Sequence, residues 1–149
     1  MTAFNKPARQ IAFHAVIVLI LGMVSGLFWG TMMADVSSSA SQQAAWRLAH
    51  IEGFANGVLM LVFALAYPLI NPQGWAEKIV RYGLIVTGYS NISASMYGGL
   101  FDARGLLPSA SSSAHDLVVY YTFLPGVVAI TLVLVTVALC LRSGKAPLE

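Results

Sequence analysis

His50, Glu52 and Asn56 stand in an otherwise apolar stretch of the sequence, with Gly53 and Gly57 interleaved. On a helix, glycines three and seven residues after a histidine share its face. An imidazole beside such bare backbone leaves room for a flat macrocycle whose iron takes the ring nitrogen. The same pattern suits an interfacial histidine wetted by lipid headgroups, with glycines that only pack. A single histidine does not separate the two readings. Asn56 is turned about 120° around the helix from His50, so spacing alone does not put both in one site.

Further along, Asn91, Ser95 and Tyr97 reach roughly the depth of Asn56 if consecutive helices run antiparallel. Buried mid-helix, Asn91 needs a partner from another helix or from a ligand. Ser95 is expected to bond back to its own helix and Tyr97 to sit at a membrane interface. His115 shares the end of the molecule that holds His50, but the neighbouring Asp116 suggests a solvated helix cap. His14 lies about a membrane thickness from His50, too far for both to hold one group. Glu52 falls near an interface, where water reaches it. The chain has no phosphate loop, no GxSxG, no HExxH and no CxxC, which removes the common hydrolase and nucleotide-binding chemistries. Cys140 is the only cysteine, so an intrachain disulfide is impossible, and it reads as a packing residue.

The elements that must carry these residues follow from composition. Hydrophobic residues make up 58% of the 149, charged ones only 9%, and mean hydropathy is +0.76. Soluble domains carry about 25% charged residues. A chain with so few cannot face water over most of its surface, so lipid must be the solvent. No basic run with interleaved aromatics points to nucleic acid. Four apolar spans emerge, at about 11–33, 49–70, 82–100 and 117–141, forming one membrane domain over residues 1–149. The first is too long for a signal-peptide core and reads as a retained helix. Pro68 and the Asn71-Pro72-Gln73-Gly74 turn close the second. Polar, serine-rich segments at Asp35 to Gln43 and Ser109 to Ser113 join the spans.

Cations set the orientation. Lys6, Arg9, Lys78, Arg81, Arg142 and Lys145 fall at one end, and only Arg47 and Arg104 at the other. The richer end is expected in the cytoplasm, with both termini inside. Trp46, Trp75, Tyr82, Tyr120 and Tyr121 lie near span ends, where amphipathic rings prefer to sit. Gly22, Gly26 and Gly30 form two successive GxxxG steps, a face open to close helix approach. Gly88, Ser90, Ser93, Ala94, Ser95 and Gly98 give the third span a similar surface.

The stretch Arg47-Leu48-Ala49-His50-Ile51-Glu52-Gly53-Phe54-Ala55-Asn56-Gly57 resembles the second span of the bacterial styrene oxide isomerases. That family carries a histidine, an asparagine six residues later and a glycine after it. The likeness continues to Pro68, to Asn91, and to Arg104-Gly105-Leu106; His14 and Gly26 also fit. The resemblance implies a four-helix enzyme of the bacterial inner membrane, assembled as a homotrimer and holding haem b. His50 would ligate the iron, with Gly53 and Gly57 beside the macrocycle. The haem would lie at a subunit boundary, where a neighbouring chain supplies part of the pocket. Ferric iron would act as a Lewis acid on a small apolar epoxide arriving from the lipid, and a carbonyl compound would form. Asn56 would orient the epoxide oxygen. Ser95 stands where the family has a catalytic tyrosine, and Thr87 where it has an aspartate. Tyr97 is the nearest replacement, although two positions turn it about 200° away. Two other expectations compete: a haem-carrying electron-transfer protein, and a cofactor-free membrane interaction subunit.

Overall fold

The computed structural model describes residues 5–105 and 107–143. Lys145 and Leu106, used above for orientation and resemblance, lie outside the described residues.

Four helices account for the fold: α1 (Lys6–Ala34), α2 (Ala40–Ile70), α3 (Trp75–Phe101) and α4 (Ala114–Arg142). Their starts are fixed by short polar side chains that satisfy otherwise free amides. Asn5 accepts from the Ala8 amide for α1, and Ser39 from the Gln42 amide for α2. Ser113 and Asp116 cap α4 reciprocally, each side chain accepting the other's amide. Asn71 and Asp102 end α2 and α3 in the left-handed region, at φ 44° and 50°. Short polar side chains tolerate that conformation better than most.

Helices α2 and α3 begin nine and seven residues earlier than the apolar spans expected from sequence. Ala40-Ser-Gln-Gln-Ala-Ala and Ala76-Glu-Lys are good helix formers, so the helix outlasts the hydrophobic pattern. Trp46 is corrected by the same shift. It is not an interfacial ring but a core residue only 2% exposed, stacked on Phe28 at 4.6 Å between ring centres. Trp75, Tyr82 and Tyr121 are exposed as expected.

Three helices, α1, α2 and α4, are long and apolar enough to cross a membrane. Around them Phe13, Ile20, Leu27, Val62, Leu65 and Leu132 point outward. Unpaired apolar surface on this scale suits lipid, not water. The chain is a membrane protein. Helix α3 is less apolar than the other three and, like α2, it has neighbours on several sides. It packs on all three others, while α1 and α4 do not touch. Its polar and small residues Thr87, Gly88, Ser95, Gly98 and Gly99 are buried in protein.

The tightest crossing joins α1 and α2. Gly22 and Gly53 meet backbone to backbone, with no space for a Cβ on either. One turn to each side, Gly57 meets Leu19 and the Ala15 carbonyl, and Gly26 meets His50. The close approach lets α2 side chains reach the main chain of α1. Lys6, Arg9, Lys78, Arg81 and Arg142 collect at one end of the bundle, where Arg81 donates to Gln10 at 3.0 Å. Arg47 and Arg104 lie at the opposite end.

Candidate functional site

His50 is partly buried on the α1 flank of α2. Its Nδ1 lies 2.9 Å from the Gly22 carbonyl oxygen. A carbonyl only accepts, so Nδ1 carries the proton and the neutral ring presents its Nε2 lone pair outward. Metal-ligating histidines are commonly held this way, with the second nitrogen bonded to a carbonyl that fixes tautomer and orientation. The ring lies against Gly26, where a Cβ would stand 2.6 Å from Nδ1. Phe54 flanks it edge-on with ring centres 5.1 Å apart, and Trp29 is tilted at 6.0 Å.

Beside the imidazole runs a groove of about 380 Å³ lined by Met23, Gly26, Leu27, Trp29, Gly30, Met33 and His50. Gly30 meets nothing within 4 Å. The bare backbone beside His50 is therefore supplied by α1. Gly53 and Gly57, expected from sequence to keep that space open, are filled by the packing of α1 and leave no room. The open backbone next to the imidazole thus lies on α1 and not on α2. A periodicity argument along α2 cannot know which face α1 covers.

The polar residues of α2 and α3 form a separate line. Asn56 is buried and gives its side-chain amide hydrogens to Glu52, to the carbonyl at 2.9 Å and to the carboxylate Oε2 at 2.7 Å. A carboxylate only accepts, so this contact fixes the orientation of the Asn56 amide. Its Oδ1 must then face α3, where it accepts from Asn91 Nδ2 at 3.1 Å. Glu52 is thus partly buried and engaged with Asn56, not merely wetted at an interface. Asn91 Oδ1, aimed at Gly126 of α4, has no hydrogen-bond partner among the described residues.

Ser95 departs from expectation. The buried hydroxyls of Ser25 and Thr87 bond back to carbonyls four residues earlier. The Ser95 hydroxyl, only 3% exposed as a residue, does not, and has no partner among the described residues. It lines a second cavity, about 360 Å³, between α2, α3 and α4. Tyr97 bonds to His115 instead, with its hydroxyl 2.9 Å from Nδ1. Both rings pack with Phe101 at the end of the bundle. His14 pairs with the Tyr89 hydroxyl at 3.0 Å, toward the other end.

His50, Asn56, Ser95 and Tyr97 therefore do not converge within one chain. The structure brings together His50, Gly22, Gly26 and Gly30 in one place and Glu52, Asn56 and Asn91 in another. Gly22, Gly26 and Trp29 were missed as neighbours of His50, although the GxxxG stripe that carries the glycines is plain in the sequence. Among the described residues no three metal-ligating side chains converge. His50 therefore offers a single ring nitrogen and no second protein ligand among the described residues. The groove beside the Nε2 is apolar, so a ligand held there would be mostly hydrocarbon in its contacts.

At the Arg104 end, Asp116 accepts from the Arg104 amide at 2.8 Å and from the Ser113 amide at 2.9 Å. The bond from Arg104, with those from Ser113, holds the Asp116 carboxyl below its usual range. Gly105 is pressed on the Asp116 backbone, where no side chain would fit.

Comparison with known proteins gives two matches. A family model described as styrene oxide isomerase covers residues 7–142. The hydroxylaminobenzene mutase HabB of Ectopseudomonas oleovorans is 28% identical over 109 residues, which is 72% of this chain and 61% of that protein. The chain thus spans less than two thirds of the length of that relative. No solved structure matches.

Proposed function

This chain belongs to the styrene oxide isomerase family, and from that premise we propose that it is a haem b-dependent membrane isomerase with His50 as the axial ligand. The observation that carries the reading is the His50–Gly22 bond, which leaves Nε2 free beside the bare backbone of Gly26 and Gly30. Bound there, haem b would supply a ferric Lewis acid for opening a carbon–oxygen bond of a small apolar epoxide. The isomerisation balances without oxidant, reductant or water. The hydride leaving one epoxide carbon arrives at its neighbour, and a carbonyl forms on the first. The chain's own part is to fix the ring tautomer, hold the imidazole and keep the groove apolar.

The groove is open on the outer side of α1, and the residues expected to assist the oxygen, Asn56, Ser95 and Tyr97, lie elsewhere in the same chain. This reading therefore needs a second copy to close the groove and bring polar groups to it, as in a homotrimer. All four helices cross the membrane in this reading, with the cation-rich end in the cytoplasm of a bacterial-type cell.

A second reading is favoured by the relative, whose name places it on hydroxylaminobenzene. An intramolecular rearrangement of an aryl hydroxylamine would need the same ability to draw electrons from a substrate oxygen. The test is to incubate purified, haem-loaded protein with panels of aryl epoxides and aryl hydroxylamines. Carbonyl isomers from epoxides, lost in His50→Ala, are expected. Turnover of hydroxylamines alone would favour the second reading, and turnover undiminished in His50→Ala would overturn both.

A further inference from the structure

The cation-rich end of the bundle carries more positive charge than its own contacts use. Among the described residues one ion pair forms, between Arg81 and Glu77 at 3.4 Å. Arg81 also donates to Gln10 of α1 and to the Tyr82 hydroxyl, both at 3.0 Å, and its guanidinium lies 4.4 Å over the Tyr82 ring. Lys6 and Lys78 are exposed, and neither has a carboxylate partner among the described residues. These two lysines belong to one place. The Gln10–Arg81 and His14–Tyr89 bonds tie α1 to α3 along a single seam. Residues three or four apart share a helix face, so Lys6 stands one turn beyond Gln10 and Lys78 one turn beyond Arg81, at the mouth of that seam.

Both helices begin at this mouth, and two N-termini side by side add partial positive charge. No acidic residue stands in the first turn of α1, and the one in α3, Glu77, is already paired with Arg81. Trp75 and Tyr82, 64% and 55% exposed, flank Lys78 along α3, as rings do at headgroup depth. Deeper along the bundle, Val86 of α3 and Phe13 of α1 present exposed apolar side chains. We propose that the mouth of the α1–α3 seam binds an anionic phospholipid, its phosphate between Lys6 and Lys78 and an acyl chain over Val86 and Phe13. A zwitterionic lipid would bring its own ammonium against the lysines. A free phosphate would satisfy the lysines but leave the apolar side chains uncovered. The site stands whether or not His50 holds a haem.

The test is native mass spectrometry of the full-length protein in detergent, titrated with dioleoylphosphatidylglycerol and, as comparator, dioleoylphosphatidylcholine. Phosphatidylglycerol is expected to fill a single site per chain, at least about fivefold more tightly than phosphatidylcholine. Lys6→Gln and Lys78→Gln should each weaken it about fivefold, the effect of one lysine near an anionic surface. Arg142→Gln removes a cation at the same end, on α4, which does not touch α1, and should leave the affinity unchanged. Equal binding of the two lipids, or an affinity unmoved by either lysine substitution, would overturn the proposal. An equal loss in Arg142→Gln would overturn it too, by showing charge attraction without a site. An excess of inorganic phosphate should not displace the lipid; displacement would assign the lysines to a soluble anion and end the lipid proposal equally.

Discussion

The imidazole of His50 is positioned by α1. Its Nδ1 proton is spoken for by Gly22, and its ring rests on Gly26. Replacing Gly26 with valine would put a branched side chain where the ring lies and break the bond to the carbonyl. Disturbing a hydrogen bond of this kind typically costs 10–100-fold in metal affinity. Haem titration of Gly26→Val is expected to show a loss of about that size. The sequence made the histidine legible, since an ionisable side chain in an apolar span needs a reason. It could not show the partner. Nothing in the spacing of α2 tells that Gly53 and Gly57 are covered, or that Ser95 turns from its own helix. Both depend on the rotation of α1 and α4 about their axes, which hydropathy leaves open.

Helix contacts decide whether the site exists at all. Gly22 and Gly53 meet where no side chain fits, so Gly53→Leu must push α1 and α2 apart. Overpacking of this kind costs about 1–3 kcal/mol or more. Unfolding in detergent should show it as an early transition, with loss of the His50–Gly22 contact. A second junction, at the start of α4, responds to pH. Asp116 is held below the usual carboxylate range by the Arg104 and Ser113 contacts. Its stabilisation is complete above the unfolded value of 3.8 and is lost as pH falls through the lower folded value. The protection factor of the Arg104 amide, its exchange rate relative to an unstructured amide at the same pH, should therefore be highest at neutral pH and fall in acid. Asp116→Asn is expected to lower it already at neutral pH. The existence of four helices was legible in the sequence. Their ends were not, because α2 and α3 continue beyond the apolar residues on helix-forming ones such as Gln42 and Glu77.

Across the whole molecule, α4 is attached mainly through α3. That arrangement leaves the outer faces of α1 and α4 without a partner in the chain, and the His50 groove opens on the first of them. If a neighbouring copy completes the groove, two defective chains should repair each other. Co-expressed His50→Ala and Asn56→Ala chains are expected to recover activity that neither shows alone, and native mass spectrometry should find a trimer. Activity that never recovers in mixed assemblies would argue for a site within one chain. The membrane setting was the most legible feature of all, because 9% charged residues cannot clothe a water-soluble body. The mutual placement of helices was the least, since lipid-facing and protein-facing residues here are equally apolar.

The central claim is that the Nε2 of His50 holds a haem iron. An absorption spectrum of the full-length protein, purified in detergent after expression with added haem precursor, tests it most directly. A Soret band in the wild type that vanishes in His50→Ala, with helical circular dichroism unchanged, is the predicted result. Colourless wild type, or the same band in both proteins, would contradict it.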